Sequence, residues 1–95
     1  MDKNINKLRT QIKNLDTQIV KLIKNRIILS NQIGLIKKQK KLKIKDAAQE
    51  NQVIGHIKNI DHEPIDEKDL VKLFNHIIKI SRKSQRSVIK KRGEQ

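Results

Sequence analysis

Residues 5–37 read INKLRTQIKNLDTQIVKLIKNRIILSNQIGLIK, and the spacing of their apolar residues predicts one long α-helix. Apolar side chains recur alternately three and four positions apart, which places them along one stripe of a helix. Arg26 lies on the same stripe, so a charge stands where the pattern requires a core residue. The apolar members of the stripe are Ile5, Leu8, Ile12, Leu15, Ile19, Leu22, Leu29, Ile33 and Ile36.

The length of this helix predicts a dimer. At about 1.5 Å per residue, residues 5–39 span roughly 50 Å. A compact chain of this size would have a radius of gyration of only about 12 Å. The helix therefore extends beyond the globule that one chain forms, and a second copy is needed to cover the rest of the stripe. We expect an intertwined homodimer in which the long helices pair.

Two further helices follow the first. Asp46 is a favourable N-cap for the second helix, and Gln49 supplies the other half of a capping box. Asp66 is the expected N-cap of the third helix. The prediction is an all-α fold, a single domain over residues 1–95 with three helices per subunit, over about residues 5–39, 47–60 and 67–92.

The composition limits the partners. With 23 Lys and Arg residues against 10 Asp and Glu residues, the chain carries a net charge of +13 and should attract anions. It has no cysteine, which excludes a disulfide framework and a thiolate nucleophile and favours a cytoplasmic location. No stretch approaches the roughly 18 apolar residues of a membrane span, so we expect no membrane partner. Phe74 is the only aromatic residue, which disfavours nucleic-acid binding by base stacking.

Polar residues also interrupt the apolar faces of the second and third helices. Glu50 stands on the second face, and Ser81 and Gln85 stand one turn apart on the third. Burying an unpaired charge is costly, so such groups are normally paired or bound to a ligand. The pattern leaves two interpretations open. One is an internal ion pair of Arg26 with Glu50 beside satisfied polar residues, and the other is a ligand site.

Lys37 favours the ligand site because it lies 11 residues after Arg26. That separation, at about 100° per residue, returns to within roughly 20° of the same helix face. Arg9 lies about 25 Å before Arg26 along the helix axis and cannot reach the same place in its own chain. In an antiparallel pair of long helices, however, Arg9 of the partner subunit would lie beside Arg26. The clustered cations and polar groups would then form a pocket for a small dianion.

Other chemistries lack the residues that they require. His56, His62 and His76 are not spaced one helical turn apart, so we expect no metal site. The sequence has no glycine motif for phosphates or dinucleotides, and we expect no cofactor. Ser81 has no histidine one turn away that would activate it as a nucleophile. An enzyme with these residues would work by positioning and electrostatics.

A set of residues in fixed order runs through all three helices. It consists of Leu8, Arg9, Ile12, Leu15, Asp16, Ile19, Leu22, Arg26, Gly34 and Lys37, then Ile44, Asp46 and Glu50, then Leu73, Phe74, Ile77, Ile78, Ser81 and Gln85. With these residues at this spacing, the chain resembles the all-helical (AroQ-type) chorismate mutases over about residues 5–88. The resemblance implies an entwined homodimer with two equivalent sites, each borrowing an arginine from the partner. It also implies the [3,3] rearrangement of chorismate to prephenate in phenylalanine and tyrosine synthesis, without metal or cofactor.

The resemblance also assigns roles to individual residues. Arg26 and the partner's Arg9 would clamp the two carboxylates of chorismate. Lys37 and Gln85 would donate hydrogen bonds to its ether oxygen, and Glu50 would accept one from its ring hydroxyl. The expected catalytic residues are therefore Arg26, Lys37, Glu50 and Gln85, and the remaining substrate contacts would come from Ser81, Asp46 and Gln49.

One position departs from the family pattern. The family commonly has an arginine directly before the second-helix glutamate, and here that residue is Gln49. The change removes a cation from the edge of the pocket. We expect Lys45 or another lysine of residues 37–45 to compensate, or the activity to be lower.

The same residues fit three alternative functions. An isochorismate-pyruvate lyase would use the same fold and a similar cation clamp. A basic nucleic-acid-binding helical protein would account for the charge of +13 and for residues 37–45, which read KKQKKLKIK, although scattered charge is usually a solvated surface. A helical interaction module would use the dimer for structure alone.

Overall fold

The computed structural model describes residues 2–93, which form three α-helices without any strand. The helices are α1 (Lys3–Gln39), α2 (Ala47–Lys58) and α3 (Glu67–Gly93). The predicted all-α class, with one long, one short and one medium helix, is confirmed. α1 begins two residues before the expected start, and α2 ends two residues before the expected end. Across residues 2–93, no helix combines the length and the apolar character needed to cross a membrane.

Aspartate side chains cap the starts of the helices. Asp2 accepts a hydrogen bond from the backbone N–H of Asn4 at 2.8 Å, which accounts for the earlier start of α1. Asp46 accepts from the N–H of Gln49 at 3.1 Å, and Asp66 accepts from the first turn of α3 at 2.9 Å. Each carboxylate satisfies an N–H group that has no partner within its helix, and it lies at the positive end of the helix dipole.

A tight turn ends α1 and reverses the chain. Lys41 adopts a φ of 57°, in the left-handed region. The N–H of Leu42 donates to the carbonyl of Lys37 at 2.7 Å, so the last turn of α1 is closed by the loop itself. Residues 40–46 then lead into α2, which is the return segment between the two longer helices.

α3 is the central element, because it packs against both α1 and α2. Arg26 of α1 contacts Ser81 of α3, and one turn later Ser30 contacts Gln85. Since both contacts advance by four residues in each helix, α1 and α3 run parallel along this stretch. The apolar core that surrounds this packing is small and consists of Ile57, Leu70, Ile77 and Ile78.

The first half of α1 lies outside this core. All residues from 2 to 22 are exposed, and the stripe members Ile5 and Leu22 are 47% and 68% exposed. The Cα radius of gyration is 17.3 Å, well above the roughly 12 Å of a compact chain of this size, and the longest extent is 57 Å. No other part of residues 2–93 covers the apolar stripe on the first half of α1. A continuous exposed apolar stripe of this kind indicates an interaction surface.

The smallness of the core makes each of its residues important for stability. Replacing Ile77 by alanine removes buried apolar surface between the helices and should lower the free energy of unfolding by about 2–5 kcal/mol. Denaturant unfolding at one fixed protein concentration measures this loss. The Lys79→Ala variant, which changes an exposed residue of the same helix, should unfold like the wild type. Equal stability of the Ile77→Ala variant and the wild type would contradict the core described here.

Candidate active site

A cleft opens where the second half of α1, the start of α2 and the later part of α3 meet. Its volume is about 290 Å³, at the small end of the range for small-molecule pockets. The cleft brings together seven of the eight predicted substrate-binding residues; Arg9 is the one left out. Its apolar wall consists of Leu29, Ile33, Ile44, Val53 and Ile78, and its polar side chains are Arg26, Ser30, Lys37, Asp46, Gln49, Glu50, Ser81, Arg82 and Gln85.

Arg26 reaches the cleft from α1 and is held by Ser81. Its Nη1 donates to the Oγ of Ser81 at 3.2 Å, and the Ser81 hydroxyl donates in turn to the carbonyl of Ile77 at 2.9 Å. Ser81 is only 4% exposed, so its hydroxyl is a fixed acceptor. This chain of hydrogen bonds orients the guanidinium while leaving most of its five N–H groups for other partners.

Gln85 is the most constrained polar residue of the cleft. Its side-chain Nε2 donates to the backbone carbonyl of Ser30 at 2.7 Å, and the residue is 6% exposed. Gly34 makes this approach possible, because a Cβ atom at that position would lie 3.0 Å from the Cγ of Gln85. The bond to the carbonyl determines which end of the amide is the donor. The same NH₂ group carries a second hydrogen for another acceptor.

Lys37 lies at the end of α1 and is half-buried. Its Nζ donates to the carbonyl of Ile44 at 3.2 Å, which ties the 40–46 loop to the helix. An ammonium group has three N–H donors, and this bond uses one of them. Lys37 is therefore a cation held in position, and its other N–H groups can donate to a ligand.

Glu50 forms an ion pair with Arg82, a residue outside the predicted set. Its Oε2 lies 3.4 Å from the Nε of Arg82, and the two side chains are 25% and 24% exposed. The interpretation in which Glu50 pairs with Arg26 is therefore wrong. Arg82 has a sequence signal, because it follows the buried Ile78 by one helical turn and so lies at the edge of the α3 stripe.

The other predicted residues lie at the rim or away from the cleft. Asp46 and Gln49 line it but are exposed, and Asp46 also caps α2. Arg9 is exposed on the free half of α1, about 25 Å along the helix from Arg26. Lys45, expected to replace the missing family arginine, is exposed and does not line the cleft.

The histidines do not gather into a site. His56 and His76 are exposed, and the Nδ1 of His62 lies 2.9 Å from the carbonyl of Ile65 in the loop before α3. Among residues 2–93, no three His, Asp or Glu side chains come together in a way that would hold a metal ion.

The charges that line the cleft suit an anion. Arg26, Lys37 and Arg82 supply three cations, while Glu50 and Asp46 supply two carboxylates. Facing cations, neutral donors and an apolar wall can hold a compact anionic molecule in one orientation. Ser81 is the residue of α3 that brings a hydroxyl group to the cleft. It donates its hydrogen to the backbone carbonyl of Ile77. The arrangement is suited to binding and electrostatic stabilisation.

Comparisons with known proteins agree with this geometry. Residues 8–86 match the sequence profile of the family described as chorismate mutase type II. A chorismate mutase from Helicobacter pylori, crystallised in complex with prephenate, superimposes with a TM-score of 0.85 at 26% identity, over 94% of this chain and 97% of that one. The Form II structure of the Thermus thermophilus chorismate mutase gives a TM-score of 0.81 at 24% identity, over 83% and 90% of the two chains, and at that identity shows the fold alone. No curated protein matches the sequence.

The family match includes every polar residue of the cleft, from Arg26 on α1 to Gln85 on α3. The two solved structures have the same three-helix fold over most of both chains. The fold, the cleft residues and the family match therefore lead to one conclusion: this chain belongs to the type II chorismate mutases, a family of isomerase enzymes.

Proposed function

We propose that this chain carries out its family's reaction, the rearrangement of chorismate to prephenate, by clamping the substrate and stabilising the charge that develops on its ether oxygen. The observation that carries the proposal is the convergence of Arg26, Lys37 and Gln85 on one cleft of about 290 Å³. The Helicobacter pylori relative, whose fold this chain shares, was crystallised with prephenate. A pericyclic rearrangement uses no nucleophile, so the donors of the cleft are sufficient for it.

The first contribution is selection of the reactive conformer. Chorismate carries two carboxylates, and it reacts only when its side chain folds over the ring. Arg26 would bind one carboxylate, since its guanidinium is oriented by Ser81 and retains free N–H groups. Holding both carboxylates in place converts a rare conformer into the bound one, and such orientation contributes several kcal/mol to a rate.

The second contribution is electrostatic. As the C–O bond stretches, negative charge grows on the ether oxygen, so a donor aimed at that oxygen binds the transition state more tightly than the substrate. Lys37 and Gln85 would be these donors. Both are already held, Lys37 by the carbonyl of Ile44 and Gln85 by the carbonyl of Ser30. Groups fixed in advance need no reorganisation during the reaction.

Glu50 and the rim residues would orient the ring. Glu50 is the carboxylate of the cleft that lies half-buried, and it would accept a hydrogen bond from the ring hydroxyl. Asp46 and Gln49 lie at the start of α2 and would contact the substrate from the open side. Ser81 would act through Arg26, whose guanidinium it holds.

The site needs a second chain. Of the three cations that line the cleft, Lys37 would serve the ether oxygen and Arg82 pairs with Glu50, which leaves Arg26 alone for two carboxylates. Arg9 of the same chain lies about 25 Å from Arg26 along α1. The uncovered stripe on the first half of α1 supports an antiparallel pairing of two long helices, which would bring the partner's Arg9 to the cleft. A homodimer would therefore cover the apolar stripe and complete two equivalent sites at once.

The direct test is incubation of the purified protein with chorismate while the products are followed by NMR. We expect loss of chorismate with formation of prephenate, and no reaction of isochorismate. Pyruvate release from isochorismate without prephenate formation from chorismate would instead identify a lyase on the same fold. A folded protein that converts neither would contradict the proposal, and tight DNA binding that weakens steeply with salt would then favour a nucleic-acid partner.

The role of Gln85 can be tested by changing one atom of its amide. In the Gln85→Glu variant, an ionised carboxylate would repel the developing charge on the ether oxygen, whereas the protonated acid can donate to it. The rate should therefore fall as the pH rises through the pKa of the introduced carboxyl, whose reference value is about 4.3 and which burial raises. Activity should be partial even in acid, because a carboxylic acid has one O–H where the amide has two N–H groups.

The measurement is the pH dependence of kcat for this variant beside the wild type, with circular dichroism to verify folding at each pH. Gln85→Glu protein with wild-type activity at about pH 8 would exclude a donor role for Gln85.

The shared site predicts complementation between two inactive variants. Arg9→Ala and Arg26→Ala should each abolish turnover without changing helix content, because both residues are exposed or half-buried. After unfolding and joint refolding, a mixed dimer would have one site with both arginines and one with neither. If half the dimers are mixed, about a quarter of the wild-type activity should return.

The control is each variant refolded alone under the same conditions. Mixtures that remain inactive, although exchange of subunits is demonstrated by a tagged copy, would refute a site shared between two chains.

A further inference from the structure

Arg82 is the cation of the cleft for which the reaction described above has no assigned role. It follows Ser81 on α3, lines the cleft and lies beside Glu50, with 3.4 Å between its Nε and the Oε2 of the carboxylate. Its Nε is buried and makes no well-aligned hydrogen bond within residues 2–93. The contact is thus an ion pair between two partly buried groups from different helices.

We propose that Arg82 is a positioning residue that holds Glu50 in place for the substrate, an inference that rests on the proposed function. The Oε2 of Glu50 faces Arg82, which leaves Oε1 as the oxygen that accepts from the ring hydroxyl. Glu50 is on α2 and Arg82 is on α3, so the ion pair also connects the return helix to the central helix beside the substrate.

The physical need for such a residue comes from the neighbours of Glu50. The cleft also contains Arg26 and Lys37, the cations that the substrate carboxylates and ether oxygen require. A flexible carboxylate in the same cleft would pair with those cations and compete with the dianion for them. By pairing with Glu50, Arg82 keeps that carboxylate away from the substrate-binding cations.

Other cations are badly placed for this task. Gln49, directly before Glu50, is uncharged and exposed, and the exposed Lys45 does not line the cleft. Within residues 2–93, the cation that lies beside Glu50 is thus Arg82 of the neighbouring helix α3, at 3.4 Å.

A double-mutant cycle with chorismate tests the role. The set comprises the wild type, Arg82→Gln, Glu50→Gln, the double variant and the control Arg86→Gln. Arg86 is exposed one turn after Arg82 on the same helix, so its replacement removes the same charge without touching Glu50. Values of kcat and KM are measured for each, and thermal unfolding at equal protein concentration records stability.

Arg82→Gln should raise KM by about tenfold, because the freed Glu50 competes for the substrate cations, and should lower kcat less. In the Glu50→Gln background the same change should alter kcat/KM by no more than about twofold, since the residue through which Arg82 acts is already gone. Arg82→Lys should recover part of the loss, and Arg86→Gln should behave as the wild type.

The cycle separates failure of this inference from failure of the proposed function. An active wild type with an equally active Arg82→Gln variant would overturn the role of Arg82 and leave the mutase intact. If Arg82→Gln lowers kcat/KM by the same factor in both backgrounds, Arg82 acts on the substrate directly. That result would also overturn the positioning role of Arg82. A folded wild type and Arg86→Gln variant that both fail to convert chorismate would overturn the proposed function and this inference together.

Discussion

The close approach of α3 to α1 at Gly34 determines the geometry of the cleft. Any side chain at Gly34 would meet Gln85, whose Cγ would lie 3.0 Å from an added Cβ. Because glycine leaves room for the Gln85 side chain against α1, the Gln85 amide reaches the Ser30 carbonyl at 2.7 Å, and Arg26 reaches Ser81 one turn earlier. The parallel register of the two helices follows from these two contacts. The cations of α1 are thereby aligned with the polar residues of α3.

α1 lines the cleft with its second half only, and its first half is exposed. Its second half packs on α3 and supplies Arg26 and Lys37, while residues 2–22 are exposed. In the proposed dimer these halves are complementary, because the free half of one α1 brings an arginine to the packed half of the other. Association and completion of the site are then one event, so that folding stability and activity should both depend on protein concentration.

The three helices could be predicted from the sequence more accurately than the polar contacts between them, because the helices depend on local residues and the contacts depend on packing. Helical period and the Asp46 cap depend on local residues, so the three helices could be inferred from spacing alone. Seven of the eight proposed binding residues also line one cleft, and four of them, Arg26, Glu50, Ser81 and Gln85, could be found because they interrupt apolar stripes. Which cation pairs with Glu50 depends on how α2 and α3 are packed, and spacing within one helix carries no such information. One of the two interpretations that the pattern left open paired Glu50 with Arg26, whereas the partner is Arg82.

The ion pair between Glu50 and Arg82 also affects the selectivity of the cleft for one anion over another. A net charge of +13 raises the local concentration of any anion, and it does so without distinguishing one anion from another. Selectivity requires that the cations in the cleft be few, fixed and not neutralised by the carboxylates beside them. Hydrogen bonds to Ser81 and to the Ile44 carbonyl hold Arg26 and Lys37 on one wall, while Arg82 engages Glu50 on another. In the proposed mechanism, an anion must then match that fixed spacing and that of the partner's Arg9, which would favour a substrate with two carboxylates and a ring hydroxyl over a singly charged competitor.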